Sequence, residues 1–410
     1  QTVSAGCVEW LDGEGVLAAP LFPHWGPLFA CWTRCRAVGA KLKQNCWSSA
    51  AETQYQWMIS QTLRIARRDG SLMLSDGSAG AWCPPMMATA LARSVDRADR
   101  TAARSALPQW EKKEGRRRKS TADELPEPGM NSAWAGLAVL RGDWSRSGQR
   151  LAVRYDGSVV QMELDCGRDV VFAGEWETQV TAAGRALTPR GAWEEVCWES
   201  DDEGDYLELE IELDQGVRVQ RQILLAHEDR FLYLADTVLG GADVDLTYRA
   251  SLPLGRAIRF QGEKETWEGL LAGGKPRGLV LPLALPEWRI AASHGALEAS
   301  DTHLRWNLQS AHHNLVFPLF IDLKPRRMTR QRTWRQLTVA EAREIQPAQV
   351  AVGYRVQCHR DQWLVYRSVE EPANRTVLGQ NLSTDSLVAR ITGDGEIEEI
   401  VEVEPAADEQ

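Results

Sequence analysis

The chain has 410 residues, of which 43% are hydrophobic and 25% charged, and carries a formal net charge of −10. That length and composition fit a soluble globular protein with room for two or three domains and a substantial core. The acidic balance argues against nucleic acid as the main partner, because phosphate binding needs a concentrated basic surface. No run approaches the ~20 apolar residues that span a bilayer.

No signal-peptide pattern is visible, and the chain starts at Gln1 rather than Met, as a processed or trimmed piece does. The eight cysteines are Cys7, Cys31, Cys35, Cys46, Cys83, Cys166, Cys197 and Cys358. They form no paired CxxC clusters, so free buried thiols are expected, with disulfides as the alternative. The seven histidines do not pair at ligand spacing, and neither a metal nor a cofactor is expected. The seventeen tryptophans leave two uses open, filling a core or offering stacking platforms.

In chain order, residues 1–107 read as an α-helical domain. A helix is expected over WGPLFACWTRCRAVGAKL, starting near Pro27. WSSAAETQYQWMISQTLRIARRDG opens on Ser48 or Ser49 as a cap, places Tyr55, Ile59, Leu63 and Ala66 on one side, and is expected to run to Gly70. A third helix is expected to run unbroken from Pro84 or Pro85 through MMATALARSVDRADRTAARSAL. Residues 108–129 hold a basic run, an acidic run and several prolines without apolar periodicity, and predict a solvated linker.

From there the texture changes. Residues 130–403 are a succession of short strand-like runs punctuated by turn residues, which predicts a large antiparallel β-sandwich. The fold class is therefore α+β. Residues 216–238 illustrate the pattern: Val217, Val219, Ile223, Leu225, Phe231, Tyr233 and Leu234 fail a period of 3.6 and suit a period of two. That predicts a hairpin with one face in the core, turning at His-Glu-Asp-Arg. Residues 404–410 form an acidic tail. No fixed-period repeat marks a propeller or solenoid.

Three stretches carry a resemblance. In Gly216–Val238 a strand bearing Arg221 turns into a strand ending Leu-Ala-Asp. NSAWAGLAVLRGDW (131–144) runs from small residues into an apolar strand ending in arginine. DGSLMLSDGS (69–78) holds a DG turn. Together they resemble the heparinase II/III-like family, polysaccharide lyases built from a helical toroid followed by a β-sandwich. The resemblance implies a polysaccharide or oligosaccharide partner and, with so few helices, a reduced or truncated toroid. Where the family's lyases carry a histidine-rich motif, this chain reads VVQMELDCGRDVVFAGEW (159–176), without histidine. Asp165 and Asp169 remain there, and their place on a strand and its turn predicts solvated carboxylates.

Elimination from a uronate polymer needs a group that neutralises the carboxylate, a base for the C5 proton and an acid for the leaving oxygen. The candidates are His24 in LFPHWG, Asn45 in KQNCW, Tyr55 in TQYQW, Tyr155 and His313. His312 and His313 are adjacent on a strand and point to opposite faces, so they do not make a metal pair. Trp25, Trp47, Trp82, Glu175 and Trp176 are candidates for lining a cleft between the domains and holding sugar rings. Two functions fit: a glycan-binding protein or polysaccharide lyase with a degenerate site, or a non-catalytic structural or interaction protein. The sequence names no oligomeric state.

Overall fold

The structure is a computed structural model that describes residues 2–43, 47–75, 84–94, 96–107, 125–240 and 244–405. Most of the expected linker, residues 108–124, and the end of the acidic tail, residues 406–410, lie outside them. The chain divides into two compact units. The first comprises Gln1–Asp156 with Gln161–Asp169, and the second Gly157–Val160 with Val170–Gln410. The architecture is α+β, with a short helical region followed by antiparallel sheets.

In the first unit the helices are α1 (Thr2–Glu9), α2 (Trp25–Leu42), α3 (Ser49–Arg64), α4 (Pro84–Leu91) and α5 (Arg97–Ala106). Helix α3 starts where Ser48 accepts the Ala51 N–H and Glu52 occupies the first turn. Its buried stripe of Tyr55, Met58, Ile59 and Leu63 joins the helical core, and full burial of such side chains is worth about 1.5–3 kcal/mol each. The helix stops at Arg64 rather than at Gly70. The cause is local: Asp69 accepts the Ser71 N–H, Arg67 N–H pairs with the Ser71 carbonyl, and Gly70 turns with φ +86°. The third expected helix is likewise broken, between Leu91 and Arg97. Ser94 Oγ accepts the Asp96 N–H, and Asp96 caps a new helix by accepting from Ala98.

Four strands follow in the same unit as an antiparallel meander: Met130–Ser132, Leu137–Leu140, Gln149–Arg154 and Gln161–Cys166. Leu137, Val139 and Ala152 belong to the same apolar core as the helices.

The second unit is built on an eight-stranded antiparallel sheet. Its middle strands are Asn314–Asp322, Phe231–Leu239, Arg218–Ala226 and Gly204–Glu212. The hairpin predicted over 216–238 forms, pairing Arg221 with Asp236 in register. It does not leave one face to solvent, however: Phe231–Val238 and Asn314–Asp322 are buried throughout. One face packs on a five-stranded sheet that includes Ala351–Cys358 and Asp361–Ser368, through Phe231, Tyr233, Phe320, Val356 and Trp363. The other meets the sheet that includes Leu246–Pro253 and His303–Ser310, where Tyr248 reaches Asp236. A central sheet covered on both sides must bury the polar residues of its second face, and each then needs an internal partner.

Candidate functional site

In the first unit the elements converge where the meander turns. Ser132 Oγ accepts the Ala135 N–H across a single 3₁₀ turn, Ala133–Ala135, and Gly136 follows in the left-handed region at φ +57°. A Cβ at Gly136 would fall 3.0 Å from the Asp156 backbone nitrogen, so the turn needs glycine on both counts. Tyr155 N–H donates to the Gly136 carbonyl at 2.8 Å, which sets its ring across from the first strand. Its hydroxyl donates to Asn131 Oδ1 at 3.3 Å. Beside them Arg154 binds Asp156 at 2.6 Å and lies 5.3 Å from the Phe22 ring, in the turn that ends at the exposed His24. Asn131 escaped the sequence reading. Its signal was its place at the head of NSAWAG, one turn before the strand on which the resemblance rests.

Tyr55 sits elsewhere in this unit and is 1% exposed. Thr33 gives its single hydroxyl proton to the Phe29 carbonyl at 2.7 Å, so the 2.6 Å contact between Tyr55 and Thr33 is donated by the tyrosine. Burial is the main cause that pushes its pKa up to about 12, which opposes the phenolate a base would need. Phe29 stacks on the ring at 5.8 Å and Trp47 meets it edge-on at 5.0 Å. Trp25 is also in the core, with its indole N–H on Thr62 at 2.9 Å. Asn45 and Trp82 lie outside the described residues.

Asp165 is not solvated. It is buried and binds Arg150 at 2.7 Å, while Glu163 beside it takes both ends of Arg67 at 2.5 and 2.7 Å. The strand Gln161–Cys166 is covered on both faces, so its carboxylates are held by arginines instead of water. Burial pushes the Asp165 carboxyl up to about 6 against the pull of Arg150.

In the second unit Arg221 and Asp236 form a bidentate pair, both bonds at 2.8 Å and both side chains fully buried. Thr178 and Tyr248 donate to the same carboxylate at 3.1 and 2.7 Å, and Trp306 N–H donates to Tyr248 at 3.2 Å. The Arg221 guanidinium lies 3.8 Å from the Trp176 ring and 4.6 Å from that of Trp193. Trp176 is thus one wall of a buried ion-pair box, while Glu175 just before it is exposed. The arginine-strand, aspartate-strand pattern seen in the sequence is this box. His313 is half-buried and lies 3.4 Å from Glu370, and its neighbour His312 is exposed.

The structure therefore places His24, Trp25, Trp47, Tyr55 and Tyr155 in the first unit and Glu175, Trp176 and His313 in the second. Tyr55 and Trp47 come together, and Tyr155 meets Asn131. Among the described residues no three His, Cys, Asp or Glu side chains come together as a metal site. No described helix is long and apolar enough to cross a membrane.

No family model matches the chain, and no curated protein matches it in sequence. Solved structures do match in fold. A heparinase III structure shares 11% identity at a TM-score of 0.59, over 89% of this chain and 62% of its own. The heparan sulfate lyase HepC from Pedobacter heparinus shares 12% identity at 0.56, over 90% of this chain and 61% of its own. A heparinase III gene product shares 11% identity at 0.58, over 90% of this chain and 61% of its own. The chain thus spans less than two thirds of the length of the structures it matches, and what it shares with them is the fold.

Proposed function

We propose that this chain is a carbohydrate-active protein of the heparinase-like fold that binds polysaccharide, with little or no turnover by β-elimination. The observation that supports the reading is the likeness of fold over about nine tenths of the chain to structures titled heparinase III and heparan sulfate lyase. On this reading residues 1–107 are a reduced toroid, 108–129 a linker and 130–403 the sandwich. The absence of strong turnover follows from the groups available for it. The stretch 159–176 holds no histidine, its Asp165 is committed to Arg150, and Tyr55 is sealed into a core. Tyr155 beside Asn131 is the pair whose chemistry comes nearest to a base and a carboxylate neutraliser, with His24 of the same unit as the acid. Tyr155 is itself buried, and a uronate C5 must lie within hydrogen-bond reach of its base.

The test is two assays on one preparation. The first follows ultraviolet absorbance of the unsaturated product across heparan sulfate, hyaluronan, alginate and pectate. The second follows retardation of the native protein in gels containing each of these and neutral polysaccharides. Retardation without turnover is the expected result. Robust turnover lost in Tyr155→Phe would establish a lyase and overturn the binding-only reading. Silence in both assays would put the structural or interaction role ahead.

A further inference from the structure

We propose that the first unit carries a stacking surface for an uncharged sugar chain, formed by Trp10, Trp57 and Trp134 around the loop Leu11–Leu17; the inference rests on the glycan-binding reading above. These three tryptophans are 38%, 43% and 56% exposed, whereas an indole of that size is ordinarily largely covered; Trp10, the least exposed, also stacks on the buried Trp32 at 6.3 Å. They come from distant parts of the sequence, and one loop ties them together. Trp10 precedes the loop, and its carbonyl accepts the Ala18 N–H at 3.0 Å as the loop closes. At the tip, Gly15 has φ +84° and packs so closely on α3 that a Cβ there would fall 2.7 Å from Trp57 Cβ and 2.4 Å from the Met58 nitrogen. Gln61 fastens the same tip by donating to the Glu14 carbonyl at 3.0 Å. On the other side Asp12 accepts from Ser132 Oγ at 2.7 Å, and Ser132 anchors the turn that bears Trp134. Asp12 also accepts from the N–H groups of Glu14 and Val16, so the loop is braced internally.

The chemistry of the surroundings selects the occupant. The three segments are GCVEWLDGEGVL (6–17), TQYQWMISQ (53–61) and MNSAWAG (130–136). Their only charged residues are Glu9, Asp12 and Glu14, and the neighbouring Arg64 is already engaged by Gln61 and by the carbonyls of Glu127 and Gly129. A sulfated or uronate polymer would meet like charge there, in a chain that is already net acidic. The remaining polar groups are amides, hydroxyls and carboxylates, which match sugar hydroxyls. Indole faces suit the apolar faces of pyranose rings. A protein partner would ask for a contiguous apolar patch, whereas the segments TQYQWMISQ and MNSAWAG set their tryptophans among amide and hydroxyl residues.

The test uses the full chain in affinity gels and calorimetry with soluble neutral polysaccharides (hydroxyethyl cellulose, xyloglucan, galactomannan, laminarin) beside heparan sulfate and alginate. We expect binding to at least one neutral polymer, weakened by about tenfold or more in Trp134→Ala and in Trp57→Ala. Trp288→Ala, which removes an exposed tryptophan of the second unit, should leave it unchanged. Gly15→Ala should also weaken binding, because it moves the loop without removing a ring. Binding confined to the acidic polymers and indifferent to the tryptophan variants would overturn this inference and leave the wider glycan-binding reading standing. Self-association that vanishes in Trp134→Ala would assign the rings to contact between copies and overturn it too. Failure to bind any polymer would overturn both.

Discussion

Tryptophan is put to two uses in this molecule, and the units weigh them differently. The first buries Trp25, Trp32, Trp47 and Trp144 yet exposes three others, while the second leaves Trp288 exposed. In the second, Trp176, Trp193, Trp267 and Trp363 lie within 3.8 to 4.7 Å of an arginine guanidinium. There tryptophan is a packing partner for arginine: Trp176 and Trp193 cover Arg221 on the central sheet, Trp363 covers the buried Arg327, and Trp267 meets Arg289 in a turn. In the first unit Trp10, Trp57 and Trp134 are left exposed around one braced loop. An indole face that is already covered holds a fold together, and one left bare is available to a ligand. Composition alone, with its seventeen tryptophans, cannot separate the two.

That contrast can be broken most severely at Arg221. Arg221→Ala strands the buried Asp236 carboxylate and removes the cation between Trp176 and Trp193. Loss of one partner of such a pair should cost about 3–5 kcal/mol in urea unfolding. A cost below about 1 kcal/mol would mean that the box is not what holds the second unit's sheets in place.

Next in size are two effects of pH, one in each unit. In the first, the Asp165 carboxyl is raised from its usual 3.8 to about 6. Between those values the native state holds more protons than the unfolded chain, so this group's contribution falls as pH rises through that window. Comparing urea unfolding of wild type and Asp165→Asn from pH 4 to 7 should show the extra downward slope only in wild type. In the second, His227 lies 3.1 Å from Asp205; burial pulls its pKa down, but the aspartate outweighs burial and holds it above the usual 6.5. Its stabilisation is complete below that value and is lost as pH rises above it. His227→Gln should flatten the slope above neutrality and leave the acidic window alone.

Smaller still is Tyr55→Phe. It removes one donated hydrogen bond, while Thr33 keeps its bond to the Phe29 carbonyl. About 1 kcal/mol of stability should be lost, with glycan binding unchanged. The smallest effect belongs to Trp134→Ala, which should shift stability by no more than about 0.5 kcal/mol. A ring that matters to the fold would not be so easily spared.

Much of the fold was legible because short-range physics writes it. The hairpin at 216–238 follows from alternation and a charged turn, and the start of α3 follows from Ser48. The break between α4 and α5 was missed by the helical pattern, although Ser94 and Asp96, capping residues inside an otherwise helical run, mark it. The burial of the hairpin's second face was not legible. Its cover comes from strands such as His303–Ser310, far along the chain, and no local period records them. Asp165 read as solvated because a local period does not record what lies opposite on the paired strand, where Arg150 meets it.

The candidate site was less legible. Tyr55 and Tyr155 have the right chemistry for catalysis, but residue type does not report burial. Trp57 offered a clue, because two residues beyond Tyr55 on a helix it falls off the buried face. Trp134 offered none, since its exposure depends on a turn that Asp12 fixes from 120 positions away.

The most direct test of this division of labour is calorimetric titration of a neutral polysaccharide that retards the wild-type chain into Trp134→Ala. An unchanged unfolding midpoint together with affinity about tenfold or more weaker is the predicted result. Undiminished affinity in a variant that folds normally would contradict it.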